Sequence, residues 1–470
     1  MGAGFSTVTP SAQSATAVAQ AVWSYTPRSL TDIQSLVSAI QNNNPSLLST
    51  LSDILYVPAL FFAGQVSATQ VAAFLDNLVL NYGLAGPAAA AIAASPYGLW
   101  STNFVTQVLP YLSATSVAQV LVSRQMDANH AQLILYWLAQ NYYYNKWINV
   151  VTLNAGSTTI STNVTISNPL FSQNLTIASG VTVTCGAQTC FFVAQSFNNY
   201  GTIVSPHGAP GGAPLDSAGA GGTGGGGIVV VAITAALGTL NVSGNPGGSA
   251  VGFTASGTGG GGSAGIFYVT SGVTVPLGGT GGYGTYGYLG AAGINGGGGG
   301  GSDASYSGAP GGGAKVYSLS SPNAMVTYIL QGLSDWWLIN VLGKSPSSTT
   351  PLAFMYGSGG GAGAVTSSYQ AGGGGGGGAG EVVAYGYDIV SGTVNAAGGK
   401  GGSAASNCLT CPAGGGGGGA GGLVFIFYGA TSGTITASLA GGTGGTGSGG
   451  SNGAAGSTGV LQIAAVTVNG

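Results

Sequence analysis

The chain contains very few charged residues. Of its 470 residues, six are lysine or arginine, nine are aspartate or glutamate, and two are histidine. Nucleic-acid-binding proteins carry clusters of basic residues, so this composition argues against a nucleic-acid partner. Intrinsic disorder combines high charge with low hydrophobicity, whereas 44% of these residues are apolar. We therefore expect a folded protein.

The shortage of charge also predicts where the protein works. Soluble proteins usually stay apart in solution through surface charges. Carboxylates lose their charge below about pH 4, so aspartate and glutamate contribute little in a medium near pH 2–3. Extracellular and viral proteins of acidophilic archaea are often built this way. We predict a protein of the cell exterior or virion surface in such a habitat.

Long apolar runs are missing as well. No run approaches the roughly 20 residues that span a bilayer, so we expect no membrane span. The first ten residues, MGAGFSTVTP, lack the basic and apolar regions of a secretory signal. A virion protein is assembled in the cytoplasm and released with the particle. That origin reconciles an outward-facing composition with the absence of an export signal.

Cysteine is scarce, and its four copies form two local pairs. Cys185 and Cys190 are five positions apart, and Cys408 and Cys411 stand in CLTC. A four-thiolate zinc site needs two CxxC pairs, and CLTC has no histidine or acidic residue near it. We predict two short disulfides that close turns, with free thiols or a joint metal site as alternatives. No cofactor or resident metal is expected.

Helical patterns fill the first third of the chain, which holds six of the 92 glycines. Apolar residues recur three and four positions apart, as in amphipathic helices. One segment opens with Ser67 and Gln70 at capping-box spacing and closes at Gly83. A second segment repeats its phrase from Ser113. Looser copies begin at Leu30 and Met126.

We assign residues 30–147 to a small helical bundle that acts as a docking domain, preceded by an N-terminal arm, 1–29. The segment 19–32, AQAVWSYTPRSLTD, resembles the AVW-x-x-x-x-R-x-L-T phrase of some phage tail and collagen-like fibre proteins. The resemblance implies that this end contacts other virion proteins through Trp23 and Arg28. The alternative is that Trp23 caps the bundle core.

After the helices, the apolar period changes from 3.6 to 2. Short strands rich in threonine, valine and isoleucine follow, as in STTISTNVTI and NLTIASGVTVTC. Their phrasing resembles the rungs of right-handed parallel β-helices, so residues 148–205 are predicted as β-helix-like strands. Three Asn-x-Ser/Thr sequons, at Asn163, Asn174 and Asn241, are candidate glycosylation sites that would aid solubility.

From about residue 206 to 470, glycine tracts alternate with apolar strands. Each tract leads into an apolar strand, a turn, a second short strand and a GG-x-GG phrase. Four copies are visible: GGGGIVVVAI, GGGGSAGIFYV, GGGGGGGAGEVVAYGY and GGGGGGAGGLVFIF. Glu381 and Leu423 occupy equivalent positions 42 residues apart. A flexible linker would not keep this phase.

Glycine chains can order as polyproline II-like helices, with three residues per turn, that hydrogen-bond side by side. This region resembles the glycine-rich tail-tip adhesins of T-even-like phages. That resemblance implies packed polyglycine II helices whose connecting loops recognise a host. A glycine-rich parallel β-helix is the alternative. The predicted class is thus α plus all-β: a small helical bundle followed by a glycine-rich β-domain.

A helical insertion at 320–344 interrupts the glycine pattern. Pro322 stands where a first helical turn accepts proline, and Gly343 stands where a helix should stop. Trp336 and Trp337 are adjacent and point about 100° apart on a helix. Either the helix is buried on two sides, or one tryptophan forms part of a partner interface.

Residues for catalysis are sparse, so we predict that the chain is not an enzyme. Its acidic residues beyond 150 are far apart in sequence, no arginine follows Arg124, and no glycine tract matches a phosphate-binding loop. We predict a virion surface protein, of tail, spike or turret type, that mediates host attachment. Expected partners are other virion proteins through the N-terminal domain, a host glycan or S-layer glycoprotein, and a homo-oligomer, with a trimer as our guess. The alternatives are a cellular surface protein or filament subunit of an acidophilic archaeon, and a glycan-degrading spike.

Overall fold

A computed structural model of the chain describes residues 30–48, 51–93, 103–186, 189–205, 222, 224–250, 266–267, 321–353, 360, 370–371, 373, 375–406 and 412–470. They fall into two units. The first comprises residues up to Asn141 together with Leu333–Ser348, and the second comprises Tyr142–Gly332 and Thr349–Gly470. The protein combines helices with a large sheet of parallel strands, as the sequence predicted at this level.

Helices dominate the first unit. They are α1 (Leu30–Gln41), α2 (Val57–Phe62), α3 (Ala68–Leu80), α4 (Ala85–Ile92), α5 (Ala114–Val122) and α6 (Ala128–Gln140). Short 3-10 turns occur at Pro45–Leu47, Leu51–Tyr56 and Leu109–Tyr111, and a π-helical turn at Phe104–Val108. The helix α8 (Pro322–Asn340) contributes its second half to this unit.

Polar side chains define where these helices begin. Ser67 and Gln70 form both hydrogen bonds of the capping box that the sequence predicted for α3. Gly83, with φ of 66°, follows the end of that helix. Ser113 caps α5 as predicted, and Asp76 from α3 accepts hydrogen bonds from its amide and hydroxyl. These caps set the helix starts, and the apolar stripes set which faces pack.

The core of the first unit is aliphatic. Helix α3 packs on α1, α4 and α5, and α4 also packs on α5. Completely buried side chains at this core include Phe74, Leu78, Leu121, Leu135 and Leu138. Removing a side chain of this size from water stabilises the folded state by about 1.5–3 kcal/mol.

Within its described residues, the second unit contains the helix α7 (Tyr144–Thr152), the first half of α8, and fourteen strands. The strands are β1 (Ser157–Ile160), β2 (Val164–Ile166), β3 (Leu170–Ile177), β4 (Thr182–Cys185), β5 (Thr189–Asn199), β6 (Thr202–Val204), β7 (Gly227–Asn241), β8 (Ile266–Phe267), β9 (Leu352–Ala353), β10 (Gln370–Ala371), β11 (Glu381–Asn395), β12 (Ala405–Ser406), β13 (Leu423–Ser438) and β14 (Val460–Ala465).

Ten of these strands form one sheet in which every pair is parallel. One ladder runs β1-β3-β5-β7 and a second runs β2-β4-β6-β7, so the long strand β7 joins both. The sheet continues through β11 and β13 to β14. The first six strands occupy the segments whose period-2 pattern predicted strands. Two short antiparallel pairs, β8-β9 and β10-β12, lie outside this sheet.

Both faces of the central strands are buried, which explains why they read as continuous apolar runs. Ile228, Val230 and Ala232 of β7 face one core, which they share with residues of β3 to β6. The residues between them are buried too, and α7 packs on β3, β5 and β7. Trp147 of α7 is completely buried.

The repeated glycine units are neighbours in this sheet. Glu381 pairs with Leu423 and also with Gly227, so three of the four sequence copies lie side by side in register. Each copy forms one continuous strand of 15 or 16 residues with a shift in register, rather than two strands and a turn. In the second copy, Ile266 and Phe267 instead pair antiparallel with β9.

Glycine-rich segments that precede strands form a first row, and those that follow strands form a second row. The first row comprises 224–226, 375–380, 413–422 and 451–459, and the second comprises 242–250, 395–404 and 438–446. Neighbours within a row are parallel. The amides of Gly415, Gly418 and Gly421, for example, donate to Ser451, Ala454 and Ser457 at 2.9–3.1 Å.

Antiparallel hydrogen bonds join the two rows. The amides of Gly416, Gly419 and Gly422 donate to the carbonyls of Gly402, Gly399 and Ala396 at 2.8–2.9 Å. Along each segment the bonded positions recur every third residue. The same spacing places Thr443 and Thr446 in an exposed position, in the phrase GGTGGTG. Glycines therefore occupy the positions that face a neighbouring backbone. Residues with side chains occupy positions that face no neighbouring backbone.

Candidate functional site

A cleft of about 470 Å³ lies in the helical unit, between α6 and residues 347–348. It is lined by Asn129, His130, Gln132, Leu133, Tyr136, Gln140, Ser347 and Ser348. Six of these eight side chains carry an amide, hydroxyl or phenol group, one is an imidazole and one is aliphatic. The cleft therefore offers neutral hydrogen-bonding groups beside an aromatic ring.

One wall of the cleft is set by the cap at the start of α6. The carboxylate of Asp127 accepts hydrogen bonds from the amides of Asn129 and His130 at 3.0 Å. Its second oxygen lies 2.5 Å from His130 Nδ1, which orients the imidazole. Burial raises the pKa of Asp127, but the hydrogen bonds and charge of His130 outweigh burial and hold that pKa below 3.8.

The floor of the cleft depends on a buried carboxylate from α8. Asp335 is completely buried and accepts hydrogen bonds at 2.6 Å from Gln132 Nε2 and from the Tyr136 hydroxyl. Gln132 Nε2 also donates to the carbonyl of Ser348 at 2.7 Å. These bonds fix the positions of two cleft side chains of α6.

Lys344 fixes the other wall. Its ammonium group donates to the carbonyls of Leu121, Ser123 and Met126 at 2.6–2.9 Å. Burial lowers the pKa of Lys344, and nearby Asp127 acts in the opposite direction. With all three donors engaged, the lysine anchors the chain that leads to Ser347, whose amide donates to Asn129 Oδ1 at 3.0 Å.

Sequence reasoning did not find this cleft, because its walls come from segments more than 200 residues apart. One signal was available. Asn129, Gln132, Tyr136 and Gln140 follow one another at spacings of three or four along α6, so they form a polar stripe on one helix face. The buried partner of that stripe, Asp335, had no sequence feature that linked it to α6.

The two predicted interface tryptophans have different environments. Trp337 is 4% exposed, and Trp336 is half-buried. Both belong to α8 within the predicted insertion, and Gly343 follows that helix with φ of 64°. The other two predicted contact residues, Trp23 and Arg28, lie outside the described residues.

The remaining candidate residues fall in the β unit. Cys185 and Cys190 are joined by a disulfide that links the end of β4 to the start of β5. Cys408 and Cys411 lie outside the described residues. Among the sequons, Asn163 and Asn174 are exposed and Asn241 is half-buried at the end of β7.

In the part of the chain that the structure describes, no group of three or more histidine, cysteine or acidic side chains is placed to hold a metal ion. Within the same residues, no helix has the length and apolarity needed to cross a membrane. Comparisons of the chain with protein-family models, with curated proteins and with solved structures give no match.

Proposed function

We propose that the chain is a structural protein of a virion surface, of tail, spike or turret type, that mediates attachment to the host cell and is not an enzyme. The main support for this proposal is the pair of glycine-rich rows, in which hydrogen bonds recur every third residue both within and between rows. Such an arrangement uses backbone groups alone, so it requires no surface charge. This suits a rigid part exposed to an acidic medium.

In this proposal the glycine-rich segments are polyglycine II helices. A three-residue repeat without internal hydrogen bonds is the signature of that conformation, and it matches the spacing of the donors in both rows. A methyl group built on Gly376 or Gly418 would overlap a neighbouring carbonyl oxygen. That close approach supports packed glycine helices over ordinary β-helix turns, whose side chains need room.

The segment from β1 to β6 is proposed to be a short β-helix that supports the rows. Its two parallel ladders both end on β7. At one corner the buried side chain of Asn199 donates to the carbonyl of Leu237 at 2.8 Å and accepts from the amide of Gly201 at 2.9 Å. This one buried asparagine satisfies backbone groups at a corner, where the ladder hydrogen bonds stop.

The proposal also covers the role of the helical unit, the oligomeric state and the partner on the host. The helices of the first unit form the small bundle that docks to other virion proteins, and the chain assembles as a trimer. The partner on the cell is a host glycan or an S-layer glycoprotein. Neutral hydrogen-bonding surfaces such as that of the cleft support a partner of this kind.

Labelling with antibody against the chain tests the proposal. Electron micrographs of virions and infected cells should show label on the outside of particles, at a tail, spike or turret. Label restricted to cell surfaces or cellular filaments would overturn the virion assignment and favour a cellular surface protein. Hydrolysis of host glycan by the purified chain would overturn the non-enzymatic assignment.

A further inference from the structure

The charge around the cleft limits what it can bind. Among the described residues, no lysine or arginine lines it, and Lys344, which lies behind its wall, is held by three carbonyls. The nearby carboxylates, Asp127 and Asp335, accept hydrogen bonds from cleft residues themselves. In the described lining, the basic side chain that an anionic ligand would meet is His130. The lining therefore favours a neutral ligand that both donates and accepts hydrogen bonds.

Gln132 supplies the most specific feature. It is 8% exposed, and its two hydrogen-bond partners, the Asp335 carboxylate and the Ser348 carbonyl, are both acceptors. The amide nitrogen must therefore face them, which fixes the orientation of the side chain. In the described part of the chain, Gln132 Oε1 accepts no hydrogen bond. A buried acceptor without a donor is costly, and a ligand hydroxyl would satisfy it.

The rest of the lining suits the same chemistry. The amides of Asn129 and Gln140 and the hydroxyls of Ser347 and Ser348 surround Gln132 in the cleft. Leu133, which is 38% exposed, and the Tyr136 ring offer apolar surface beside these groups. A sugar has hydroxyls around its rim and C–H groups on its faces. Clefts of about 300–1,000 Å³ with a few placed polar groups are typical of small-ligand sites.

We infer that this cleft binds a neutral saccharide, with Gln132 Oε1 accepting from a sugar hydroxyl and Leu133 and Tyr136 contacting a sugar face. The inference deepens the proposed function, because it names the ligand class of an attachment protein. It also places sugar recognition in the helical unit, whereas the resemblance to tail-tip adhesins implied the loops of the glycine-rich domain.

Calorimetric titration of the purified full-length chain tests this inference. The probes are glucose, galactose, mannose, N-acetylglucosamine, N-acetylgalactosamine and xylose, their disaccharides, and sialic acid and glucose 6-sulfate as anionic counterparts. We expect binding of at least one neutral sugar and weaker or no binding of the anionic ones. Absence of binding by every neutral probe, or tighter binding of an anionic sugar, would overturn the inference.

Variants then locate the site. Gln132→Met should weaken neutral-sugar binding about tenfold or more, the loss expected for one buried hydrogen bond. Because Gln132 also holds Asp335, two variants at exposed positions, Leu133→Ala and Gln140→Ala, provide an independent test and should weaken binding about threefold or more. The matched control Gln125→Ala changes an exposed glutamine of the same unit outside the cleft and should leave affinity unchanged. Equal affinity in Leu133→Ala, Gln140→Ala and the control would overturn the site.

These outcomes are separable from those of the proposed function. Particle labelling with no sugar binding would keep the virion assignment and discard the saccharide site. Sugar binding that maps to the cleft, with label restricted to cells, would keep the site and discard the virion assignment.

Discussion

The helical unit and the glycine-rich rows are held together by opposite means. In the helical unit, side chains such as Phe74 and Leu135 fill a core, and their burial supplies the stabilisation. In the rows, glycines stand at the closest backbone contacts, and backbone amides and carbonyls of neighbouring segments bond to each other. Ordering a glycine costs about 0.5–1 kcal/mol more than ordering alanine, and each backbone hydrogen bond returns about as much. A single glycine tract is therefore marginal, and stability comes from many tracts fixed between strands.

Within the rows, a segment needs more glycine when more neighbouring segments pack against it. All residues of 413–422 are buried, and nearly all of them are glycine. In the last segment, 451–459, glycine is needed at Gly453, Gly456 and Gly459. The exposed residues Asn452, Ala455 and Thr458 each directly precede one of these glycines. A segment that is surrounded by more neighbouring segments therefore contains more glycine.

The largest expected effect is at the centre of the first row. In Gly418→Ala, the methyl group would overlap the carbonyl oxygen of Gly442, which is backbone and cannot rotate away. We expect destabilisation of roughly 3 kcal/mol or more, at or above the upper end of ordinary overpacking. Hydrogen exchange followed by mass spectrometry should show faster exchange in peptides covering 413–422 and 438–446.

The matched control is Ala455→Ser, at an exposed position of the neighbouring segment, which should leave exchange unchanged. Normal protection in Gly418→Ala would contradict close packing of the rows. It would also remove the contrast between the helical unit, whose core is filled by side chains, and the rows, whose close backbone contacts leave no room for them.

A second prediction concerns a side chain that the helical unit needs. In Lys344→Met, the carbonyls of Leu121, Ser123 and Met126 lose their shared donor. Unsatisfied part-buried carbonyls cost about 1–3 kcal/mol in total at such a site, so the urea midpoint of the helical signal at 222 nm should fall. Lys400→Met changes an exposed lysine of the second row and should not move that midpoint. Equal effects of the two substitutions would show that the anchor contributes nothing.

The two regions also differ in how far they could be predicted. Helix starts at Ser67 and Ser113 followed from capping residues, because a cap is local chemistry. The register between Glu381 and Leu423 followed from repeat phase. The antiparallel hydrogen bonds between the rows could not be predicted from the sequence. A glycine tract has no alternation of residue types that would show which of its sides faces a neighbouring segment. The cleft was missed because the buried partner of Gln132, Asp335, lies about 200 residues away in sequence.

A third prediction tests the charge at the start of α6. Asp127→Ala removes the cap and should destabilise the helical unit by about 1 kcal/mol at pH 7. Because the folded-state pKa of Asp127 lies below the ordinary value of 3.8, the contribution of its carboxylate is present above that value. It is lost as the pH falls through the folded-state pKa. Urea unfolding at pH 7 and at about pH 2 should show that the charge-dependent part of the difference between wild type and Asp127→Ala becomes smaller in acid. Asp127→Asn keeps an oxygen acceptor and should lose less stability at pH 7 than Asp127→Ala. If the difference in stability between wild type and Asp127→Ala were the same at low pH as at pH 7, the charge of Asp127 would have no role.

The smallest effect is expected at a glycine of the helical unit. Gly86 lies in the first turn of α4, and a methyl group built there would meet Gln125 Cγ at 3.7 Å and Ser123 Oγ at 3.8 Å, which is ordinary contact. Alanine has the higher helix propensity, but Pro87 disfavours a helical conformation for a preceding residue that carries a Cβ. We expect the two effects to offset each other, so that Gly86→Ala shifts the Tm of the helical unit by less than about 2 °C. A thermal melt followed at 222 nm measures this shift. The same substitution would then be tolerated at Gly86 and disruptive at Gly418. Destabilisation at both positions would mean that the helical unit, like the rows, has no room for a methyl group, and the contrast between them would be one of degree.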